Sequence, residues 1–422
     1  MRPVTPRGFR DVLFAEAAER EAVTRAITRV FKSWGYGPVE TPVVEEYATL
    51  EAAVSRSLET DAFRLFDMDG ALLALRPEMT VPIARLTASR LGGEPGPHRF
   101  RYVASVFREN ASLRGQARQF TQAGVELVGA PGPGADAEIV ALLLDTLVAA
   151  GLREFTVSVG SVAFLRAVIA SARMDESWDT SVLQAAHGRD FVAIEALSRQ
   201  QGVSAAVGDA LRALSRLRGG PEALVAAGQH ARACGCEESL DELLGTYEVL
   251  DACGLTERIT VDFSMMRSFD YYTGLVLEVF SPGLGVAIGG GGRYDRVLAE
   301  FDAAAPAAGF ALGIERIMIA LANQSATPSV PPLDAVVGGT RPAEVFAVAA
   351  QLRAAGWRAQ VAHGCAGEAL VTEAARTGAL MAVEVDGPSA YALDRNGVRL
   401  GELPAPLEGF AAPLPDDERC WQ

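Results

Sequence analysis

Acidic, amide and hydroxyl side chains recur at strand-like spacing in two segments of the sequence. Glu78 and Thr80 are two positions apart, and Gln122 and Glu126 are four positions apart within 118–128, a segment that is rich in strand-forming residues. Side chains at even spacing project from the same face of an extended chain. If both segments are extended, each pair faces one side, where it can hold a ligand that carries hydrogen-bonding groups.

Two tyrosines stand next to glycine-containing turns. Tyr272 precedes Thr273-Gly274, and Tyr294 follows the run Gly289–Arg293. Glycine lets the backbone approach a ligand closely. Carboxylates bind an ammonium group, and tyrosine hydroxyls or a carboxylate pair with an imidazole. Any one of these residues alone is more often solvated or satisfied within the fold, but together they would suit a small zwitterion with hydrogen-bonding nitrogens.

The composition limits the classes of function. The chain has 422 residues and a net charge of −15, which is a poor balance for gripping a nucleic-acid backbone. No apolar run reaches the roughly 18 residues that span a bilayer, and the N-terminus lacks an apolar signal core, so we expect a cytoplasmic protein. The five cysteines and four histidines are dispersed, and Cys234-Gly-Cys236 is too tight for a usual zinc half-site. Neither a metal ion nor a cofactor is therefore expected.

The segments that carry the polar residues are predicted to belong to a globular core. Helical spacing of apolar residues predicts a helix over 14–34, and Asp69-Gly70 predicts a two-residue hairpin. Residues 161 to about 255 are rich in alanine and leucine, with a periodicity that predicts an all-helical insertion. Further strands and helices are predicted over 99–107, 118–128, 135–150, 154–159, 259–263, 274–280 and 313–321.

A stretch rich in proline and serine, 325–332, predicts a linker to a second domain over 333–422. Alternating strand and helix patterns predict a small α/β domain there, with a hairpin around Arg395-Asn-Gly397. The domain holds seven arginines against twelve aspartates and glutamates. Because an RNA-binding surface needs clustered basic or aromatic residues, we expect a packing module instead.

Two signatures resemble those with which histidyl-tRNA synthetases hold histidine. They read Arg267-Ser-Phe-Asp-Tyr-Tyr-Thr-Gly274 and Gly289-Gly-Gly-Gly-Arg-Tyr-Asp295. In the order of that family, Gly35–Pro42 resembles motif 1, which builds a homodimer interface, 107–120 resembles motif 2, and 309–316 resembles motif 3.

The resemblance spans residues 5 to about 322. It implies an α+β fold of the class II synthetase type, in which helices flank an antiparallel sheet. On this basis residues 1–322 form the core, with the helical insertion at about 161–255, and residues 333–422 form a small α/β unit like a degenerate anticodon-binding domain.

The same resemblance implies roles for individual residues. Arg267 matches the arginine that neutralises phosphate charge during adenylation, and Arg108 and Arg316 match the arginines of motifs 2 and 3 that hold the phosphates of ATP. The residues implied to contact histidine are Glu78, Thr80, Gln122, Glu126, Arg267, Tyr271, Tyr272 and Tyr294.

Motif 2 departs from the synthetase pattern, which reads Phe-Arg-x-Glu-Arg-Pro-Gln-x-Gly-Arg. This chain has Asn110 in place of the acid that positions adenine and Gln116 in place of a second phosphate-facing arginine. Losing charge-assisted contacts weakens transition-state binding. Glu109 can replace the missing acid only if the loop shifts by one residue. We therefore expect a histidine pocket beside a vestigial ATP-phosphate site, without catalytic residues.

Two further segments, Leu75–Arg85 and Leu217–Glu222, resemble the regulatory subunits of ATP phosphoribosyltransferase, which are synthetase paralogues, more than they resemble the synthetases. This resemblance implies a non-catalytic protein of histidine biosynthesis. Such a protein binds histidine and assembles with a short-form catalytic subunit, whose activity and feedback inhibition require it.

A homodimer within a larger hetero-oligomer is implied as well, and tRNA binding is not expected. Feedback histidine is expected in the inherited pocket, with a subunit interface as the other position. The alternatives are an active histidyl-tRNA synthetase and a stand-alone enzyme that adenylates an amino acid.

Overall fold

The computed structural model describes residues 4–53, 62–109, 117–214, 216–265, 271–328, 332–394 and 397–403. The chain divides into two compact units, Met1–Thr327 and Pro328–Gln422. The helices of the first unit are α1 (Phe14–Ser33), α2 (Tyr47–Ala53), α3 (Thr80–Leu91), α4 (Pro133–Ala149), α5 (Val162–Ser171), α6 (Glu176–His187), α7 (Phe191–Ser198), α8 (Ala205–Leu214), α9 (Pro221–Cys234), α10 (Asp241–Ala252) and α11 (Ile314–Asn323).

The strands of the first unit form one large and one small sheet. Their bounds are β1 (Gly37–Pro38), β2 (Val44–Glu46), β3 (Arg64–Phe66), β4 (Leu72–Leu75), β5 (His98–Phe107), β6 (Gln119–Val128), β7 (Thr156–Ser161), β8 (Arg218–Gly219), β9 (Ile259–Asp262), β10 (Leu275–Phe280), β11 (Gly289–Arg293) and β12 (Ala307–Gly313). The nine-stranded sheet has the order β1-β5-β6-β12-β11-β10-β7-β9-β8, and the three-stranded sheet has the order β2-β4-β3.

The large sheet is mainly antiparallel, and the helices lie against it, which confirms the predicted α+β arrangement. Within this nine-stranded sheet, only the β1–β5 and β7–β9 pairs of described strands are parallel. The long pair β5–β6 runs in unbroken register from His98 opposite Val128 to Phe107 opposite Gln119. In β6 the side chains from Ala123 to Val128 are buried, so this strand lies at the centre of the unit and not at its surface.

The main core lies between this sheet and the helices α1 and α4. The apolar spacing of α1 buries Val23, Ile27 and Phe31, and the ring of Phe31 meets Phe310 of β12 edge-on at 5.9 Å. Helix α4 is apolar on most of its circumference because it packs against both α1 and α10. An element covered on several sides keeps few polar positions.

The segment before α3 is not extended throughout, which corrects the expectation that Glu78 and Thr80 share a strand face. Strand β4 ends at Leu75, and α3 begins at Thr80. The two carboxylate oxygens of Glu78 accept the main-chain N–H groups of Thr80 and Val81 at 2.7 and 2.8 Å. The first N–H groups of a helix have no partner within it, so this acid stabilises the start of α3.

The helices α5 to α10 occupy most of the segment that was predicted to be all-helical, with one difference. Arg218 and Gly219 form the short strand β8, which pairs with β9 through Asp262 and Val261, so the insertion is not wholly helical. The next residues make a tight turn, in which the carboxylate of Glu222 accepts the N–H of Gly220 at 2.7 Å. The segment Leu217–Glu222 therefore has a local structural role at the start of α9.

The second unit is a five-stranded sheet with helices. Its order is β14-β13-β15-β16-β17, in which β13 pairs in parallel with both neighbours. The strands are β13 (Ala335–Gly339), β14 (Ala359–Val361), β15 (Met381–Asp386), β16 (Ser389–Leu393) and β17 (Arg399–Glu402), and the helices are α12 (Pro342–Ala354) and α13 (Glu368–Thr377). Of the predicted hairpin turn, Arg395 and Asn396 lie outside the described residues.

Candidate functional site

A cavity of about 930 Å³ lies in the first unit, over strands β5, β6, β10, β11 and β12. Ligand cavities in proteins are commonly about 300–1,000 Å³. The structure brings to this one cavity every predicted site residue that it describes, while Arg267 lies outside the described residues. Those lining residues are Glu78, Thr80, Arg108, Gln122, Glu126, Tyr271, Tyr272, Tyr294 and Arg316.

Glu126 is the centre of a hydrogen-bonded cluster in the cavity wall. It is only 2% exposed. Its Oε1 accepts the hydroxyl of Thr80 at 3.0 Å and that of Tyr102 at 3.4 Å, and its Oε2 accepts the hydroxyl of Tyr294. In the register of the sheet it lies opposite Gly309, where a Cβ atom would overlap the carboxylate. The glycine thus makes the room that this buried acid occupies.

Burial controls the charge of the two acids. It raises the pKa of Glu126 to about 8, an effect that the Tyr294 hydrogen bond opposes and the nearby Glu78 carboxylate reinforces. Burial also raises the pKa of Glu78, against the hydrogen bonds from Val81 and Thr80. Desolvation disfavours a charged carboxylate unless a cation or donors compensate it. A cationic group placed between these acids would therefore be held strongly.

Three tyrosine rings form one wall of the cavity. The ring of Tyr271 lies 4.9 Å from that of Tyr272 and 6.0 Å from that of Tyr294, measured between centroids. Burial raises the pKa of all three hydroxyls, so they stay protonated. The N–H of Thr273 donates to the carbonyl of Arg293 at 2.8 Å, which ties the start of β10 to the end of β11. This pairing brings both tyrosine segments together.

The glycine run forms strand β11, not the turn that the sequence suggests. It is paired on both sides, with β10 and with β12. A Cβ atom on Gly289, Gly290 or Gly291 would overlap main-chain atoms of the neighbouring strands, and all three glycines line the cavity. The floor of the cavity at this point is therefore bare backbone.

Gln122 supplies an acceptor that the protein leaves unused. Its Oε1 is buried and, among the described residues, has no hydrogen-bond partner. Burying such an atom without a donor costs about 1–3 kcal/mol. Because Gln122 lines the cavity four positions before Glu126 on β6, a ligand N–H group would satisfy it.

The two predicted phosphate-binding arginines reach the same cavity and are anchored by main-chain carbonyls. Arg108 donates from Nε to the carbonyl of Pro77 at 2.9 Å and lies over the ring of Phe120. Arg316 donates to the carbonyl of Ala287 at 2.7 Å. Anchored guanidinium groups suit an anion.

The acid that was considered as a substitute in motif 2 is engaged elsewhere. Glu109 accepts from Arg118 at 2.8 Å, is 57% exposed and does not line the cavity. The two altered positions of that motif, Asn110 and Gln116, lie outside the described residues. Glu109 therefore does not stand in for the adenine-positioning acid in this arrangement.

Sequence reasoning missed some of the lining and assigned no role to Arg293. Tyr102 was not predicted. A Cβ atom on Gly124, between Gln122 and Glu126, would overlap the Tyr102 hydroxyl, so the absence of a side chain there makes room for the tyrosine. Arg293, in the glycine signature, is buried beneath the cavity and donates from Nε to Asp136 at 3.0 Å. It holds the fold together and does not reach the ligand space.

The charge of the lining is predominantly acidic. Among the described lining residues, six glutamates face three arginines. Such a wall favours a cation or zwitterion over a polyanion. The ionisable residues of these two types are Glu16, Glu19, Glu78, Glu126, Glu278, Glu315, Arg10, Arg108 and Arg316.

The described residues also contain no cluster of histidine, cysteine and acid side chains that could hold a metal ion.

No helix within the described ranges is long and apolar enough to cross a bilayer.

Comparisons with known proteins place this site in a family context. The family model for histidyl-tRNA synthetase matches residues 8–317. An ATP phosphoribosyltransferase regulatory subunit from Moorella thermoacetica is 40% identical over 319 residues, which are 75% of this chain and 81% of that protein. A solved Bacillus halodurans structure, described as an ATP phosphoribosyltransferase regulatory subunit/histidyl-tRNA synthetase, has a TM-score of 0.81 at 30% identity and covers 92% of this chain and 99% of that one. A histidyl-tRNA synthetase from Nostoc has a TM-score of 0.76 at 22% identity, over 96% and 98% of the two chains, and shares the fold.

Proposed function

The chain belongs to the family of ATP phosphoribosyltransferase regulatory subunits, which share the histidyl-tRNA synthetase domain, and from this premise we propose that it binds free histidine and regulates a catalytic subunit of ATP phosphoribosyltransferase. It does so without adenylating histidine or charging tRNA. The protein acts in the cytoplasm, and its minimum assembly is a homodimer, as symmetry favours.

The observation that carries the proposal is the combination of two buried acids and an unused acceptor in one cavity. Glu78 and Glu126 are 5% and 2% exposed, and Gln122 has a buried oxygen without a partner among the described residues. The α-ammonium and imidazole of histidine supply both cationic character and N–H donors. Isothermal titration should find one histidine per chain, and Gln122→Ala should weaken binding by about 1–2 kcal/mol because one hydrogen bond is lost.

The charge of the cavity argues against adenylation. Adenylation requires the triphosphate of ATP to enter, and the described lining carries six glutamates against three arginines. Glu109, which would have to position adenine, is paired with Arg118 instead. Weaker electrostatic stabilisation of the phosphates slows their transfer. We therefore expect no histidine-dependent exchange of pyrophosphate into ATP above background.

An active histidyl-tRNA synthetase is the second candidate, because Arg108 and Arg316 both line the cavity as an ATP site would require. The pyrophosphate exchange assay separates the two functions. A strong exchange signal with histidine that disappears on Arg316→Gln would establish the synthetase activity and overturn the regulatory proposal. A strong signal with another amino acid would instead identify a stand-alone adenylating enzyme.

Two acidic regions argue against tRNA binding. Residues 161–255 hold eight arginines against thirteen aspartates and glutamates, and 333–422 hold seven against twelve. A phosphate backbone is bound mainly by clustered cations. A filter-binding assay in low salt should therefore find no retention of tRNA, and retention at micromolar protein would support the synthetase alternative.

Regulation can be tested with a short-form catalytic subunit. Adding the chain should raise the rate of condensation between ATP and phosphoribosyl pyrophosphate, and histidine should then inhibit that rate through a coupling between the two sites. Glu126→Gln should relieve the inhibition while the complex still forms on gel filtration. Unchanged inhibition in this variant would place the feedback histidine elsewhere, such as at a subunit interface.

A further inference from the structure

A second cavity, of about 580 Å³, lies within the helical insertion. It is bounded by α7, α8 and α9 and by the loop that leads to β8. None of its lining residues lines the cavity of about 930 Å³ described above, so it is a separate site. Its volume falls within the range of about 300–1,000 Å³ that is usual for small-molecule sites. Its lining residues are Phe191, Ile194, Glu195, Asp209, Arg212, Ala213, Arg216, Leu217 and His230.

One part of the wall is apolar. Phe191 and Ile194 stand three positions apart on α7, so both side chains project to the same side of the helix. Ala213 and Leu217 continue this surface from the end of α8. Phe191 remains 47% exposed, although it lies beside the cavity. An aromatic ring that is left half-exposed beside a concavity offers a surface for a flat or branched apolar group.

The other part of the wall is polar, and its two acids are already paired. Arg212 donates to Ser198 Oγ at 2.9 Å and forms an ion pair with Asp209. Glu195 forms an ion pair with Arg199, the residue that follows the last turn of the same helix. Both lining acids are thus neutralised by arginines that these contacts hold in place.

Two lining groups remain that can meet an anion. Arg216 and His230 form no hydrogen bond or ion pair through their side chains within the described part of the chain. Arg216 lies in the loop after α8, and His230 lies on α9, so they approach the cavity from two elements. The cavity lining holds two arginines and two acids, whereas the insertion as a whole holds eight arginines against thirteen acids over 161–255.

We propose that this cavity binds a small molecule that joins one carboxylate or phosphate group to an apolar body. The body packs on Phe191 and Ile194, and the anionic group pairs with the guanidinium of Arg216 and the imidazole of His230. A guanidinium fork matches the two oxygens of a carboxylate or phosphate. The site does not depend on the proposed histidine function.

The test uses saturation-transfer NMR on the full-length chain, with benzoate, phenyl phosphate and neutral benzamide as probes. At least one of the two anions should bind, and benzamide, which has the same ring without the charge, should bind at least tenfold more weakly. The tighter anion identifies the preferred group. Arg216→Gln should weaken binding about tenfold, since a charge-assisted hydrogen bond is lost.

Two variants keep the result interpretable. Phe191→Ala tests the apolar half independently and should also weaken the anion severalfold. Arg232→Gln is the matched control, because it removes the same charge from α9 outside the cavity, and it should leave binding unchanged. Melting curves establish that each variant is folded. No binding of either anion, equal binding of benzamide, or equal effects of Arg216→Gln and Arg232→Gln would overturn the proposal.

Discussion

Histidine binding should expel a proton from Glu126. Burial raises the pKa of this carboxyl to about 8, so at pH 7 the cavity without ligand holds it mainly in the protonated form. A bound ammonium or imidazolium group favours the ionised form. For a pKa of 8, about nine in ten molecules carry the proton at pH 7 and about half carry it at pH 8. We therefore expect about 0.9 protons released per histidine bound at pH 7 and about 0.5 at pH 8.

The same linkage sets the pH dependence of affinity. If only the ionised form binds histidine, the apparent affinity scales with the ionised fraction and rises about fivefold from pH 7 to pH 8. Isothermal titration in buffers with different enthalpies of protonation measures the protons released directly. Glu126→Gln keeps the shape and an oxygen acceptor for Tyr294 but has no proton to lose. Its binding should be weaker and should release almost no proton.

Glu16→Gln is the matched control, because Glu16 lines the same cavity and is paired with Arg10 near its mouth. This variant should keep the proton release of the unmodified chain. The reasoning is refuted if histidine binds with no proton release at pH 7, or if Glu126→Gln releases as many protons as the unmodified chain.

Further predictions concern stability, measured by urea unfolding. The pKa of Glu126 is raised to about 8 in the folded state, whereas an unfolded glutamate has a pKa of about 4.3. Between these values the folded state keeps a proton that the unfolded state has lost. The free energy of unfolding should therefore fall as pH rises between roughly 4.5 and 8, by up to about 1.4 kcal/mol per pH unit. Glu126→Gln should flatten this slope, and an equal slope in the variant would contradict the assignment. Gly124→Ala should destabilise the chain by about 1–3 kcal/mol because its Cβ would overlap Tyr102 and Phe310, whereas Gly93→Ala, which meets nothing within 4 Å, should cost less than about 0.5 kcal/mol. Asp136→Asn should cost about 1–3 kcal/mol, because it removes one of the two carboxylates that pair with the buried Arg293 and leaves only Asp295, and no measurable loss would show that the Asp136 pair is not needed for folding.

Local patterns predicted the elements that depend on neighbouring residues. A hairpin does lie at Asp69-Gly70, with Phe66 opposite Leu72, but residues 67–71 connect β3 and β4, so the predicted two-residue length was wrong. The strand predicted over 118–128 appears as Gln119–Val128. Its aromatic and β-branched residues are local features of the sequence, so they could be read without knowledge of the neighbouring strands. Spacing alone drew attention to most residues of the candidate site, but only the resemblance grouped them as a pocket for histidine, because they are distributed over the start of α3, β6 and the ends of β10 and β11.

Interactions over long sequence distances could not be predicted. The start of α3 was missed because the spacing of Glu78 and Thr80 suggests that of a strand. Pro82 in the first turn is compatible with a helix, because N–H groups lack partners there. The role of Arg293 depends on Asp136, which is 157 positions away. Neither residue alone shows that its partner exists.

The all-glycine stretch of β11 restricts how this pocket can evolve. A side chain in a pocket can be replaced by a smaller or larger one, but a surface formed by peptide groups has no side chain to shorten. Adding even a methyl group at Gly291 would overlap the main chain of the adjoining strand. Descendants that acquired another ligand would have to begin the change on the opposite wall, at positions such as Thr80 or Tyr271. That half of the pocket is where divergence among homologous proteins should accumulate.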